Sequence, residues 1–170
     1  YLDLRLLVSQ PEVLQRAAQA YAEILKTLRF DRLAGIPYAA LPIATAVSLQ
    51  MGVPLLYPRK EAKEYGTRRG IEGHWEQGEL VVVLDDLITT GGSKLRAIAP
   101  LEEAGLEVED VVVLVDRGQG GGDELAEHGY RLHSVLKLKE ILEMLSEHGR
   151  ISTEQRDEVL AFLARRNRSG

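Results

Sequence analysis

The chain has 170 residues, 45% of them hydrophobic, which suits one α/β domain large enough to bury a core. Its 21 basic and 26 acidic residues give a net charge of −5, the wrong sign for a general basic surface that wraps nucleic acid. With no cysteine, disulfides, thiolate zinc sites and a cysteine nucleophile are excluded, and no apolar run reaches the roughly 18 residues that a membrane span needs.

The first predicted element, "YLDLRLLVS", has strand-like alternation, and it starts at Tyr1 rather than Met, so further residues are expected upstream. The N-terminus lacks the layout of a signal peptide, and a cytoplasmic location is the simplest expectation. Ser9, Pro11 and Glu12 then form a capping-box pattern ahead of Val13, Leu14, Ala17, Tyr21, Ile24, Leu25 and Leu28, apolar positions at helical spacing. "RLAGIPY" predicts a short strand and turn, and Pro42 can open a second helix ending near Gly52. "VPLLYPRK" predicts a strand. The segment from Arg59 to Glu79 is polar, punctuated by glycine and without helical period, which implies a functional loop, a hairpin or disorder.

Leu80 to Leu84 predicts a buried strand and Ser93 to Ala104 a helix, within which Pro100 removes a hydrogen bond and should kink the chain. "DVVVLVDRG" predicts another buried strand, "DELAEHG" a short helix and "YRLHSVL" a last strand. Two C-terminal helices fill residues 138 to 170, striped by Leu138, Ile141, Leu142 and Leu145 and by Val159, Leu160 and Leu163. Strands of Val, Ile and Leu alternating with helices predict an α/β fold, a largely parallel sheet covered on both faces. No internal repeat or low-complexity linker divides residues 1–170, so a single domain is expected.

The chemistry concentrates in "LVVVLDDLITTGGSK". A buried strand delivers Asp85 and Asp86 to its tip, and in a parallel sheet the carboxyl ends of strands are where ligands bind. The following Leu87, Ile88, Thr89, Thr90, Gly91, Gly92 and Ser93 supply small side chains, hydroxyls, backbone N–H groups and a helix N-terminus, which together suit an anion. Like charges repel, so the carboxylates should face a neutral polyol or a metal-bearing part of the same ligand. A sugar phosphate meets both demands, its ribose hydroxyls donating to Asp85 and Asp86 and its 5′-phosphate lying in the turn. The bland alternative is a polar loop, since Gly, Thr and Asp are common between strand and helix. No Walker spacing is present.

Upstream, "RKEAKEYGTRRGIEG" gathers Arg59, Lys60, Lys63, Arg68 and Arg69, cations suited to a pyrophosphate that is neutralised when the loop closes. By composition alone such a run is a solvated hairpin.

The Asp-Asp-Thr-Thr-Gly-Gly-Ser stretch resembles the phosphoribosyl-pyrophosphate motif of the type I phosphoribosyltransferases. "RKEAK" resembles the loop of the orotate phosphoribosyltransferases, and "YLDLR", "GIPYAALPIAT", "VLVDRGQGG" and "RLHSVLKLKEILEML" are similar to parts of the orotate phosphoribosyltransferase domain of UMP synthase. The resemblance runs from Tyr1 to about Arg166. It implies the type I phosphoribosyltransferase fold with a flexible loop or hairpin over the site. The implied reaction moves phosphoribose from phosphoribosyl pyrophosphate (PRPP) to orotate, giving orotidine 5′-phosphate and pyrophosphate. It implies Mg²⁺ held mainly by ligand oxygens, a homodimer in which Lys63 and Tyr65 act across the interface, and an orotate contact from Arg117 and Thr89. Lys63, Asp85 and Asp86 become the catalytic candidates, with Arg59, Lys60, Tyr65 and residues 87 to 93 binding PRPP. Tyr65 and Ala39 stand where many single-function relatives carry His and Lys. The family's hood segment, with an orotate-binding Lys, would precede Tyr1 and is expected to be missing, leaving orotate turnover incomplete.

Three rivals remain: a purine phosphoribosyltransferase, a PRPP-sensing regulator without catalysis, and one half of a bifunctional protein whose orotidine 5′-phosphate decarboxylase lies elsewhere. "GQGGGDE" misses the dinucleotide fingerprint at Asp123, whose charge would repel a pyrophosphate. His74, His128, His133 and His148 share no metal-ligand spacing, and Trp75 is expected to pack within the hairpin.

Overall fold

The computed structural model describes residues 3–59 and 70–166. Six strands form one sheet: β1 (Arg32–Gly35), β2 (Leu55–Pro58), β3 (Ile71–Glu72), β4 (Leu80–Ile88), β5 (Glu107–Asp116) and β6 (Arg131–Lys137). The helices are α1 (Pro11–Leu25), α2 (Ala40–Met51), α3 (Gly92–Glu103), α4 (Gly121–Glu127), α5 (Leu138–Glu147) and α6 (Thr153–Arg166). The sheet order is β3-β2-β1-β4-β5-β6, with β3 antiparallel to β2 and every other neighbouring pair parallel.

Each sheet face has its own core because side chains alternate along a strand. Val82 and Leu84 of β4 join Val112 and Leu114 of β5 beneath α1 and α2, around fully buried Tyr21, Ile43 and Val47. Val81 and Val83, one residue out of phase, join Val111 and Val113 beneath α3 and α4, around Ile98, Leu101 and Leu125. The uninterrupted Val runs of β4 and β5 are thus the signature of strands buried on both faces.

Several expectations need correction. "YLDLRLLVS" is no strand in its described part: Leu4–Ser9 is a 3-10 helix, opened by Asp3, whose carboxylate accepts from the Arg5 backbone N–H. Leu4 and Leu7, one 3-10 turn apart, both pack on the first core, whereas Leu6 and Val8 face outward. Ser9 therefore does not cap α1; Gln10 precedes Pro11 there and makes no side-chain cap. The β2–β3 pairing makes a hairpin of the polar segment's flanks, but Trp75 lies beyond it and donates from its indole N–H to the Ala104 carbonyl after α3 (3.4 Å). The helix around Pro100 is as expected from sequence: Pro100 lies inside α3, which runs from Gly92 to Glu103.

The correction that bears on function concerns β4. It does not stop at Leu84 but continues to Ile88, because β5 keeps pairing with it: Asp85 opposite Val113, Leu87 opposite Val115 and Ile88 opposite Asp116. On its other side β1 ends at Gly35, opposite Leu84. The acidic pair therefore lies inside the strand, at the point where one neighbour peels away and the other remains.

Candidate active site

From β1 the chain crosses to β2 on one side, whereas from β4 it runs to β5 and β6 on the other, so the connections diverge between β1 and β4. That is the switch point of an open α/β sheet, where a crevice forms beyond the carboxyl ends of the strands. The crevice here is a cavity of about 760 Å³, an ordinary size for a small-molecule site. Its walls are Ile36 to Ala39 after β1, Pro58 and Arg59 at the end of β2, Asp85 to Leu87 of β4, and Ser93, Lys94, Arg96, Ala97 and Pro100 of α3, with Arg5 from the 3-10 helix.

Asp85 is buried, and both of its carboxylate oxygens are engaged. Oδ1 accepts from the Asp86 backbone N–H (2.9 Å), and Oδ2 pairs with Lys94 Nζ (2.7 Å). Burial pushes its pKa up to about 6; the Lys94 charge and hydrogen bond oppose that rise, and neighbouring Asp86 adds to it. The Asp85 carbonyl accepts from the Tyr21 hydroxyl at 2.5 Å, which ties α1 to this strand end. Burial, followed by the charges of Asp85 and Asp86, holds the Tyr21 hydroxyl well above the usual tyrosine range. Asp86 is half-buried, and its Oδ1 accepts from the Leu87 N–H (2.8 Å).

The cavity brings together Arg59, Asp85, Asp86, Leu87 and Ser93 of the residues expected from sequence. Arg59 pairs with Glu72 across the hairpin at 2.9 Å, so its charge is shared. Ile88 is fully buried in the second core rather than facing the cavity. Thr89, Thr90, Gly91 and Gly92 form the turn into α3 but do not line the cavity wall; Thr90 is exposed and Gly91 buried. The Gly91 N–H already has an anion, Glu124 Oε2 of α4, at 2.6 Å. Arg117 also stands off the wall, yet its N–H donates to the Ile88 carbonyl (3.1 Å), which fixes it beside the same strand end. Two residues further, the Gln119 side-chain oxygen is buried with no hydrogen-bond partner among the described residues. Lys60, Lys63 and Tyr65, with Arg68 and Arg69, lie outside the described residues.

Sequence reasoning missed Lys94, Arg5, Tyr21 and Glu124. Only Lys94 left a signal: a cation in the first turn of a helix opposes the helix dipole, so a Lys there needs an acid nearby. Tyr21 reads as one more core residue of α1, and Arg5 and Glu124 as surface charges. No group of three or more His, Asp or Glu among the described residues is placed to hold a metal, and no helix among them is long and apolar enough to cross a membrane.

A switch-point crevice with an acidic pair at a strand end, a small-residue turn and a flanking Arg defines a class of protein, and comparison with known families agrees. The phosphoribosyl transferase domain matches residues 6–128. A bifunctional enzyme PyrF/PyrE of Nostoc sp. is 48% identical over 155 residues, 91% of this chain and 32% of the relative. An orotate phosphoribosyltransferase of Caenorhabditis elegans is 40% identical over 167 residues, 97% of this chain and 74% of the relative. The structure of Leishmania donovani UMP synthase superposes with a TM-score of 0.91 at 45% identity, over 97% of this chain and 36% of that one. The chain belongs to the phosphoribosyl transferase family, in its orotate phosphoribosyltransferase branch, and has the type I fold of that family. It spans about a third of the length of the Nostoc and Leishmania proteins that it matches.

Proposed function

We propose that this chain is an orotate phosphoribosyltransferase, transferring phosphoribose from PRPP to N1 of orotate in pyrimidine biosynthesis. The observation that carries this is the position of Asp85 and Asp86: just past Leu84, the last residue of β4 paired with β1, on the stretch that β5 alone still flanks, opening into the switch-point cavity ahead of the Thr-Thr-Gly-Gly-Ser turn. Family membership supports the same assignment.

The ribose lies against the two carboxylates, which accept its hydroxyl protons and stabilise positive charge as C1′ gains oxocarbenium character. The 5′-phosphate lies at the turn of residues 89 to 93. Orotate is placed toward Arg117 and Thr89, on the β5 side. No covalent nucleophile is required. Arg59, and by the family resemblance Lys60, Lys63 and Tyr65, neutralise the departing pyrophosphate. Mg²⁺ fits as a hard cation brought in largely by substrate oxygens, since the described residues offer no cage of carboxylates and Asp85 is already bound to Lys94. When bound, it supplies charge neutralisation at the leaving diphosphate.

We place the enzyme in the cytoplasm as a homodimer with loop residues acting across the interface. The length of the Nostoc and Leishmania relatives favours a second reading, in which this is one domain of a bifunctional protein joined to an orotidine 5′-phosphate decarboxylase. Incubation with PRPP, orotate and Mg²⁺, followed by chromatography, tests the assignment. Orotidine 5′-phosphate and pyrophosphate in equal amounts are expected, and transfer to adenine or guanine instead of orotate overturns it.

A further inference from the structure

We propose that Lys94 is a positioning residue for the acidic pair, its ammonium group fixing the Asp85 carboxylate against the ribose and tying that contact to the phosphate turn. This rests on the functional assignment above.

Lys94 Nζ has three partners: Asp85 Oδ2 at 2.7 Å, the Leu87 carbonyl at 2.6 Å and Ser93 Oγ at 3.2 Å. An ammonium has three donors, so its capacity is used in full. The partners come from the two walls that meet at the site, Asp85 and Leu87 from the end of β4 and Ser93 from the turn and first residues of α3. One cation thus sets the spacing between the place of the ribose hydroxyls and the place of the 5′-phosphate. Both side chains are almost wholly buried, 5% exposed for Lys94 and 9% for Asp85.

Stability alone is a poor account of this pair. A buried ion pair costs desolvation that its attraction barely repays, and apolar residues of similar volume often do as well. A cation in the first turn of a helix also opposes the helix dipole. What Lys94 does provide is control of the carboxylate. Burial drives the Asp85 proton on, and the ammonium opposes this, so that at neutral pH the group accepts hydrogen bonds. The groups facing Asp85 are Lys94 from α3, Asp86 from its own strand and the Tyr21 hydroxyl of α1 on its carbonyl; Arg5, Arg59 and Arg96 line the same cavity. Without Lys94 the carboxyl is protonated at neutral pH and donates where the ribose hydroxyl also donates.

The test is Lys94→Met, which keeps length and removes charge, with Lys94→Arg as the conservative partner. PRPP affinity is measured by calorimetry with Mg²⁺, and kcat/KM against pH, for both variants and the unsubstituted chain. In Lys94→Met, PRPP affinity at neutral pH is expected to fall about tenfold or more and to recover at alkaline pH, as the acid limb of kcat/KM for PRPP moves upward from about 6 by a unit or more. Lys94→Arg keeps the limb where it was. PRPP binding within about twofold of the unsubstituted chain, with an unmoved limb, overturns the proposal while leaving the functional assignment intact. An unsubstituted chain that binds no PRPP overturns both. Should Lys94→Met fail to fold, the ammonium resonance of Lys94 in the ¹⁵N-labelled unsubstituted chain is followed by NMR: a shift when PRPP is added supports the coupling, and an unmoved signal overturns it.

Discussion

Asp85 and Asp110 are both buried carboxylates, yet their surroundings drive them in opposite directions. Asp85 is raised to about 6 from an ordinary 3.8, chiefly by burial. Asp110 is lowered, chiefly by the hydrogen bonds of Arg131, whose Nε and Nη2 reach it at 2.8 Å each, and also by His133 Nε2 at 2.7 Å. The folded state holds the Asp85 proton up to about pH 6 and the unfolded chain only to about 3.8, so this group contributes less stability as pH rises through that window. Asp110 does the reverse: its contribution is present above its unfolded value and lost as pH falls through its lowered folded value. Asp110→Asn is expected to cost about 1–2 kcal/mol at neutral pH, discounted because Arg131 is largely exposed, and to lower Tm by about 2–8 °C in a calorimetric scan. For catalysis, kcat/KM for PRPP should fall about tenfold per pH unit below about 6 as Asp85 takes up its proton, and that limb should be absent in Asp85→Asn. Asp86→Asn should leave the fold in place, move the limb somewhat downward because the Asp86 charge no longer adds to the rise at Asp85, and raise the KM for PRPP about tenfold.

Among the elements, the turn from β4 into α3 is shaped as much by α4 as by its own residues. Gly121 opens α4 against the end of β4, where an added Cβ would stand 2.6 Å from Ile88 Cγ1 and 3.1 Å from the Thr89 carbonyl. Gly121→Ala must therefore push the turn. It should cost about 1–3 kcal/mol in denaturant unfolding and weaken PRPP binding as well; unchanged affinity with lowered stability would mean that the turn absorbs the shift away from the phosphate. Glu124, one turn along the same helix, places its carboxylate on the Gly91 N–H at 2.6 Å. A phosphate at this turn meets both a donor already in use and a like charge. Glu124→Gln is expected to tighten binding of inorganic phosphate and PRPP about two- to fivefold in calorimetry.

For the molecule as a whole, the site depends on the topology of the sheet: β1 and β4 adjoin although 44 residues lie between Gly35 and Leu80, so the crevice belongs to no local segment. The proposed homodimer extends this dependence to a second copy. Mixing a Lys63→Ala chain with an Arg117→Ala chain should restore activity up to one working site per heterodimer, because one defect lies on the loop offered to the neighbour and the other on the receiving site. No recovery in the orotate assay, with subunit exchange verified by mass spectrometry, would mean that each chain completes its own site.

What the amino-acid sequence by itself determined was local or periodic. The Val runs of β4 and β5, the stripe of α1, the left-handed Gly52 after α2 and the acid-acid-turn signature of residues 85 to 93 are all written in spacing and residue type, because burial on two faces, helical period and turn geometry act over a few neighbours. The orotate phosphoribosyltransferase branch was legible through resemblance, in local stretches such as "RKEAK" and "GIPYAALPIAT" that are similar to that family. The 3-10 helix at Leu4–Ser9 was not, since Leu4 and Leu7 take that form only with the first core to pack on. The reach of β4 to Ile88 was decided by β5 continuing beside it after β1 had stopped. The partners of the carboxylates were decided last and by tertiary contact alone. Lys94 meets Asp85 only when α3 folds back over the strand it follows, and Tyr21 arrives from 64 residues away. A sequence shows which groups carry charge, and packing sets how far each is from water and from its opposite, on which the protonation and aim of Asp85 depend.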